Sequence, residues 1–549
     1  VFIDDVLLQD PFTGFPLVED IDLRSFGELH IHKGLAPWNI PITQPGGVIQ
    51  FITRPPAFGR STKIGSALST EDSQSAWVEE NRKTNASSIK GYFRRRTSAG
   101  KYEFYDDNQT IRNPDDDRVR KRENNQSNSS LSSFAGERHF DHVGIKSLLW
   151  YQTSELGIPA KGSFDDGSAR LKNHTGVGSA HANFELSDEF SLRISGQHTR
   201  LQKQFRDPQR NIGLTSGQES TASTTRNAIT LTKHGDIFSF LSDLSYSSAL
   251  VGRNDALRDS SSAIKREITS AYVGSEIKIL PNLLLEIKGD RFIAPESPSS
   301  NIGATVYVAS DFFNIWLQAA KHERPPTLLE VQGNGVEIEP AANLENEHGD
   351  FMEIGSRTYT NIGPWTGEWS LTYWQDYLRD RLRIKPISAT LWRASNVDRE
   401  SYRGAELRNR WENQTIEIEL AGAYTDAKQS NSLRIAKVPL WQSVVAGAWV
   451  FVPDWKIRLS QRFQGRYFYD DLETLEVSET SFQDITLDRH RPNSPWTLGI
   501  SCTNVSNNLS TRFSDVSTNQ GQGQIAKESI NGDPLPGRQF AISFKTLLP

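Results

Sequence analysis

From about Thr62 onward, apolar and polar residues alternate in short segments that meet at tight turns and are separated by long polar stretches, the signature of antiparallel strands with one wet face. The clearest unit runs from Trp441 to Phe463. Trp441, Val445, Trp449 and Phe451 share one parity, Val452-Pro453-Asp454 turns the chain, and Ile457, Leu459 and Phe463 then alternate with Lys456, Arg458, Ser460 and Arg462. Ile416, Ile418, Leu420 and Tyr424 alternate in the same way with Thr415, Glu417 and Glu419, and two glutamates on one face need water. Further hairpins are predicted about Leu280-Pro281-Asn282, Ser310-Asp311 and Gly363-Pro364. Three charged stretches rich in Ser, Asn and Gly read as long loops: 99–138, 202–225 and 472–493. Short turns at one end and long loops at the other fit a transmembrane barrel better than a compact soluble domain. Trp441, Trp455, Trp496 and Tyr467 suit aromatic girdles at the two membrane interfaces.

Composition agrees once that pattern is accepted. Hydrophobic residues are 36% and mean hydropathy is −0.54, and no apolar run approaches the roughly 18 residues of a spanning helix. A barrel tolerates such polarity because only alternate residues meet lipid. The 61 Lys+Arg against 67 Asp+Glu, net −6, lack the basic excess that binds phosphate backbones, so nucleic acid is not an expected partner. Cys502 is the single cysteine and is read as a small strand residue, which leaves no zinc cluster and no internal disulfide. The opening Val1-Phe2-Ile3-Asp4 carries no targeting signal and reads as a truncated start.

Three ordered motifs in the first fifty-odd residues resemble the second half of the plug of TonB-dependent outer-membrane receptors. Val1-Phe2-Ile3-Asp4-Asp5-Val6 is similar to "V-x-I-D-G-V", with Asp5 where glycine is usual. Phe26 to Gly34 is similar to "V-E-R-I-E-V-L-R-G", with Lys33-Gly34 for Arg-Gly, and Gly46-Gly47-Val48-Ile49-Gln50-Phe51-Ile52-Thr53-Arg54 to "G-G-V-I-N-I-x-T-K". Between them Leu35-Ala36-Pro37-Trp38-Asn39-Ile40-Pro41 departs from the family's "P-A-S-x-x-Y-G-S" turn. Weaker echoes follow in Arg324-Pro325-Pro326-Thr327-Leu328-Leu329-Glu330 and in Pro536-Gly537-Arg538-Gln539-Phe540.

The resemblance implies an all-β fold: a large antiparallel transmembrane barrel of about 22 strands over 55–549, with a partial plug, 1–54, in its lumen. It implies TonB-energised uptake of a scarce ligand, such as a ferric siderophore, haem, cobalamin or a glycan, across the outer membrane of a Gram-negative bacterium. The TonB-contacting box is expected upstream of the motifs seen here. A passive porin or an adhesin-like barrel explains the alternation without explaining a plug.

No enzyme is read from the chain, since G-x-S-x-G, H-E-x-x-H and P-loop patterns do not occur, and no resident cofactor is expected. His30 and His32 share a face of one strand but have no evident third metal ligand, and Asp115-Asp116-Asp117 lacks the glycine and glutamate of an EF-hand loop. Candidate ligand contacts are Trp392 and Arg393 in one loop and Arg466, Tyr467 and Tyr469 at the mouth of another, as aromatic and cationic groups that could stack on or pair with a ligand. The plug-motif residues singled out are Asp4, Lys33, Gly34, Gly46, Gly47, Thr53 and Arg54.

Overall fold

The alternating segments form a closed antiparallel ring of 22 strands. The computed structural model describes the chain apart from residues 19–20, 107–113, 160–166, 211–215, 256–259, 295, 336, 389–390, 491–493, 516–528 and 549. The ring opens with Gly59–Ser69 and closes with Gln539–Leu548, which pair with each other, Ile542 opposite Leu68. The predicted turns at Pro281-Asn282, Pro453-Asp454 and Gly363-Pro364 all lie at the end of the ring that also carries Gly59 and Leu548. At the opposite end Thr70–Asp72 is a tight turn, but several of the other connections are long. One carries a ribbon of Glu103–Asp106 with Arg118–Lys121, and two others build a four-stranded sheet from Tyr467–Phe468, Leu475–Val477, Ser510–Asp515 and Ser529–Pro534.

Burial follows the alternation. In Trp441–Val452 the outward Trp441, Val445 and Trp449 are 60%, 45% and 53% exposed, a level that only an apolar solvent explains for so many large side chains. Ile418 and Leu420 also point outward, while Glu417 and Glu419 face the lumen and pair there with Arg410 and Arg408 at 2.9 Å each. On the short-turn side, the Arg489 guanidinium lies 5.7 Å from the Trp455 ring and 4.8 Å from Trp496. On the long-loop side Tyr424 and Trp441 pack with centroids 4.6 Å apart.

Two expectations are corrected. Part of each supposed loop is wall: Ser127–Phe140 occupies the end of 99–138, Phe190–Arg206 and Gly217–Lys233 enter 202–225 from both sides, and Thr480–His490 fills half of 472–493. For Gln202–Arg206 and Gly217–Thr221, which extend above the lipid, both faces meet water, so the apolar alternation stops while the hydrogen-bond ladder continues. Tyr467 is no girdle residue, because it belongs to the outer four-stranded sheet instead of a wall strand.

The first residues fold into a second sheet inside the ring, made of β1 (Phe2–Ile3), β2 (Val6–Leu7), β3 (Phe26–His32) and β4 (Val48–Thr53) in the order β2-β1-β4-β3. Asp4 joins the first and third motifs, since its carboxylate accepts from the Thr53 backbone N–H at 2.8 Å and from Thr53 Oγ1 at 2.7 Å. Gly47, at φ +84°, makes the turn into β4, where a Cβ would stand 2.8 Å from the His32 carbonyl. Gly46 has open space around it, and Gly27 passes close to the Arg54 backbone beyond the end of β4.

Candidate functional site

The inner sheet divides the lumen. Along one side it is packed against the wall, and along the other a cavity of about 1000 Å3 separates β3 from wall strands contributing Thr305, Glu353, Arg408 and Arg462. His32 and Lys33 line this cavity from the inner sheet. Burial lowers the His32 imidazole below its ordinary range, with the charges of His30 and Lys288 acting in the same direction against the hydrogen bond to Gln50, so the ring is neutral at neutral pH. His30 bonds Glu28 at 2.8 Å and His32 bonds Gln50 at 3.1 Å, so the two imidazoles are engaged separately, and among the described residues no group of three potential ligands surrounds them.

Lys33 reaches across to pair with Glu406 of the wall. Gly34 follows at φ +63°, where a Cβ would stand 2.6 Å from Gln318 Oε1 and 2.9 Å from Glu353 Oε2. The left-handed backbone therefore favours glycine, and a Cβ would make the Gln318 and Glu353 side chains swing aside. Leu35 N–H donates to the same Gln318 Oε1 at 3.0 Å, and its side chain is buried with Ala320 and Phe351. The Lys-Gly motif is thus the point where the end of β3 is tied to the wall.

From the outer side a second element reaches the inner sheet. Helix α1 (Leu328–Gln332) begins at Thr327 with a capping box, Thr327 and Glu330 each bonding the other's backbone N–H, and Arg324 holds the Glu330 carboxylate through two contacts of 3.0 and 3.1 Å. Burial disfavours the Glu330 charge, but the Arg324 contacts prevail and hold the carboxyl below its usual range. Leu329 N–H donates to Phe12 O at 2.9 Å, and Leu328 joins Leu201, Ala222 and Val251 in a core that Phe12 touches. The Arg324–Glu330 motif therefore folds a long outer connection down onto the chain between β2 and β3.

The five candidate loop residues fall on two neighbouring outer connections. Trp392 starts a wall strand, is 38% exposed and pairs with Ile338, while Arg393 meets Glu339 at 2.5 Å. Arg466 approaches Glu476 and Glu479 at 3.8 Å each, and Tyr467 and Tyr469 pack around the buried Val477, with Lys437 Nζ 4.5 Å from the Tyr469 ring. Arg383, which meets Glu400 at 2.5 Å and Asp471 at 3.0 Å, ties the two connections together. The structure thus brings both groups to the outer rim, with the cations engaged by carboxylates of the same loops. Sequence reasoning missed the lumen-facing Glu353, Glu406 and Gln318 as partners of the Lys-Gly motif. A lone inward glutamate on an alternating strand carries no local sign of a partner 373 residues away along the chain.

Residues 81–505 match the family model described as TonB dependent receptor-like, beta-barrel. Among solved structures, the chain is similar to the copper transporter OprC, with 12% identity and a TM-score of 0.76 over 100% of this chain and 90% of that one. It is similar to the siderophore receptor PirA from Acinetobacter baumannii, with 12% identity and a TM-score of 0.75 over 95% and 85%. It also resembles the FrpB iron transporter from Neisseria meningitidis, with 13% identity and a TM-score of 0.74 over 96% and 88%. None of the curated proteins matches by sequence.

Proposed function

We propose a function from the premise that this chain belongs to the TonB-dependent receptor family: it is an outer-membrane receptor that captures a scarce ligand at its outer loops and imports it with energy delivered through TonB. The observation that carries this reading is the inner sheet, residues 1–54, which we assign as plug. It occupies the lumen of the ring and is bonded to its wall at Lys33–Glu406 and Leu35–Gln318. A passive pore has no need of such an obstruction, whereas a transporter driven from the inner membrane needs a barrier that yields only when worked upon.

For the ligand we place a ferric siderophore ahead of haem, cobalamin and glycan, because the structural neighbours are described as siderophore, iron and copper transporters. Recognition is assigned to the outer rim, with Trp392, Arg393, Arg466, Tyr467 and Tyr469 as contacts whose paired cations would exchange loop carboxylates for ligand acceptors.

The test is uptake of radiolabelled ferric chelates by receptor-deficient Gram-negative cells carrying the whole gene, with and without TonB. Accumulation of one chelate only in the TonB-positive cells is expected. Equal accumulation in both would replace this reading with a passive pore.

A further inference from the structure

Side chains that face the lumen find partners within the chain. Trp77, Trp150 and Val177 of the wall share one buried core with Ile3 and Phe51 of the inner sheet, and the buried Lys288 donates to Ala36 O. One patch on the outward face reaches no such balance. It lies across the neighbouring wall strands Phe313–Arg324, Glu347–Ile362, Trp365–Pro386, Trp392–Glu412 and Ile416–Gln429.

The aromatic girdles fix its height. Tyr377 stands eight residues from Trp369, as Trp441 does from Trp449, and all four rings point outward, so Tyr377 and Trp441 mark the same upper edge of the apolar band. Arg403, eight residues from Trp411, falls at that edge on a strand between them. Along the edge the register sets Lys321 opposite Asp350, Asp350 opposite Tyr377, Tyr377 opposite Ser401 and Ser401 opposite Lys428. Two residues beyond Tyr377, Arg379 stands directly opposite Arg399. At about 3.4 Å per residue and a tilt of about 40°, that step adds about 5 Å of height. Both arginines are therefore in the head-group layer, which extends roughly 5–7 Å beyond the hydrocarbon on each side.

The carboxylates of the patch are already engaged. Asp426 serves two cations, Arg403 at 2.7 Å and Lys428 at 3.2 Å, and Glu323 accepts from the Ser300 N–H at 3.0 Å and lies 3.6 Å from His348. Asp350 pairs with Arg379 at 3.2 Å, but from the strand on the side away from Arg399. Arg399 itself is 74% exposed, with Asp398 at 3.9 Å, and Lys321 has no ion-pair partner among the described residues. Like charges directly opposite across two strands repel. The Arg379–Arg399 pair is thus built to receive an anion from outside the chain.

We propose that this patch binds one outer-leaflet lipid whose head group carries a phosphate monoester. The phosphate sits between Arg379 and Arg399, where a dianion with three terminal oxygens accepts from both guanidinium groups. Arg403 and Lys428 flank the head group at the edge of the apolar band, and Tyr377 and Tyr373 lie along the lipid where it enters that band. The site rests on reading the ring as an outer-membrane barrel and is independent of what the barrel imports.

Native mass spectrometry of the whole receptor, delipidated in detergent, tests the site. The probes are dioleoyl phosphatidic acid, a monoester, and dioleoyl phosphatidylglycerol, its diester counterpart, with heat-modifiable migration reporting the folded barrel in every sample. One phosphatidic acid per chain is expected, bound more tightly than phosphatidylglycerol. Arg379→Gln with Arg399→Gln should weaken it about tenfold or more, whereas Arg200→Gln, at an exposed arginine on a distant wall strand, should leave it unchanged. Equal binding of the two lipids, parent-like binding by the double variant, or the same loss in Arg200→Gln would overturn the site. Displacement of the lipid by equimolar glycerol 3-phosphate would make it a soluble-phosphate site and overturn the lipid assignment. If the double variant gives no folded band, Arg399→Gln alone decides: weakened binding is expected, and parent-like affinity overturns the proposal. A parent chain without that band would overturn barrel and site together, whereas a folded parent that ignores the monoester overturns the site alone.

Discussion

Replacing Val445 by arginine puts a charge where the structure places lipid. Val445 lies midway between Trp441 and Trp449, which are eight residues apart on one outward face. At about 3.4 Å per residue the two rings are separated by about 27 Å of strand, and a tilt of about 40° reduces this to roughly 21 Å of height, close to the ~25 Å apolar band of such barrels. Val445 is then near the midplane, where an outward arginine costs about 2–4 kcal/mol. The next residue, Ala446, faces the lumen opposite Glu419 and Ser460. An arginine there meets water and a carboxylate, and should cost under about 1 kcal/mol by the same depth argument. Reversible unfolding in lipid vesicles, followed by tryptophan fluorescence, measures both. Equal costs, or a larger cost at Ala446, would refute the assignment of faces along the whole Trp441–Gln464 hairpin.

Trp150→Ala removes a buried ring from the core shared by plug and wall and should cost about 3–5 kcal/mol, read as protease cleavage within residues 1–54 while the heat-modifiable barrel persists. Gly34→Ala should loosen the inner segment by about 1–2 kcal/mol through its left-handed backbone, read as protease cleavage within residues 1–54 at lower urea than in the parent. Because the Glu330 carboxyl is held below its usual range in the folded state, its contribution is complete above the unfolded value near ~4.3 and is lost as pH falls through the folded one. Protease nicking between Pro325 and Asn346 should therefore rise on acidification below that range, and Glu330→Ala should show the raised nicking already at neutral pH; unchanged nicking in both would remove the capping box from the account.

The wall was legible where lipid imposes a period of two. Ile416 to Tyr424 and Trp441 to Phe463 announce strand, face and turn together, because every second residue answers to a different solvent. Legibility failed above the membrane, where Gln202–Arg206 and Gly217–Thr221 pair in register although neither face is apolar. The inner sheet was legible as a set of motifs, yet what holds it was not. Lys288 and Asp290 look like ordinary inward polar residues of the Leu283–Ile293 strand, and their partners Ala36 and Thr43 offer only backbone, which leaves no trace in composition. The surroundings of the loop candidates were hidden for a related reason, since Arg393 and Arg466 look available in sequence and meet carboxylates of the outer connections once folded.

The seam between Gly59–Ser69 and Gln539–Leu548 sets an order of assembly. Ile542 and Leu68 are partners across most of the chain's length, and bringing ends so distant together costs about 5–6 kcal/mol in loop entropy if nothing between them has formed. Each hairpin registered beforehand shortens that loop, so the ring must close last, after its local pairs. Residues 1–54 precede the first wall strand and end up enclosed by the last. The same Trp77–Val177 core that holds the inner segment in the finished fold is built between strands near in sequence, so it offers that segment a surface before the ring has closed.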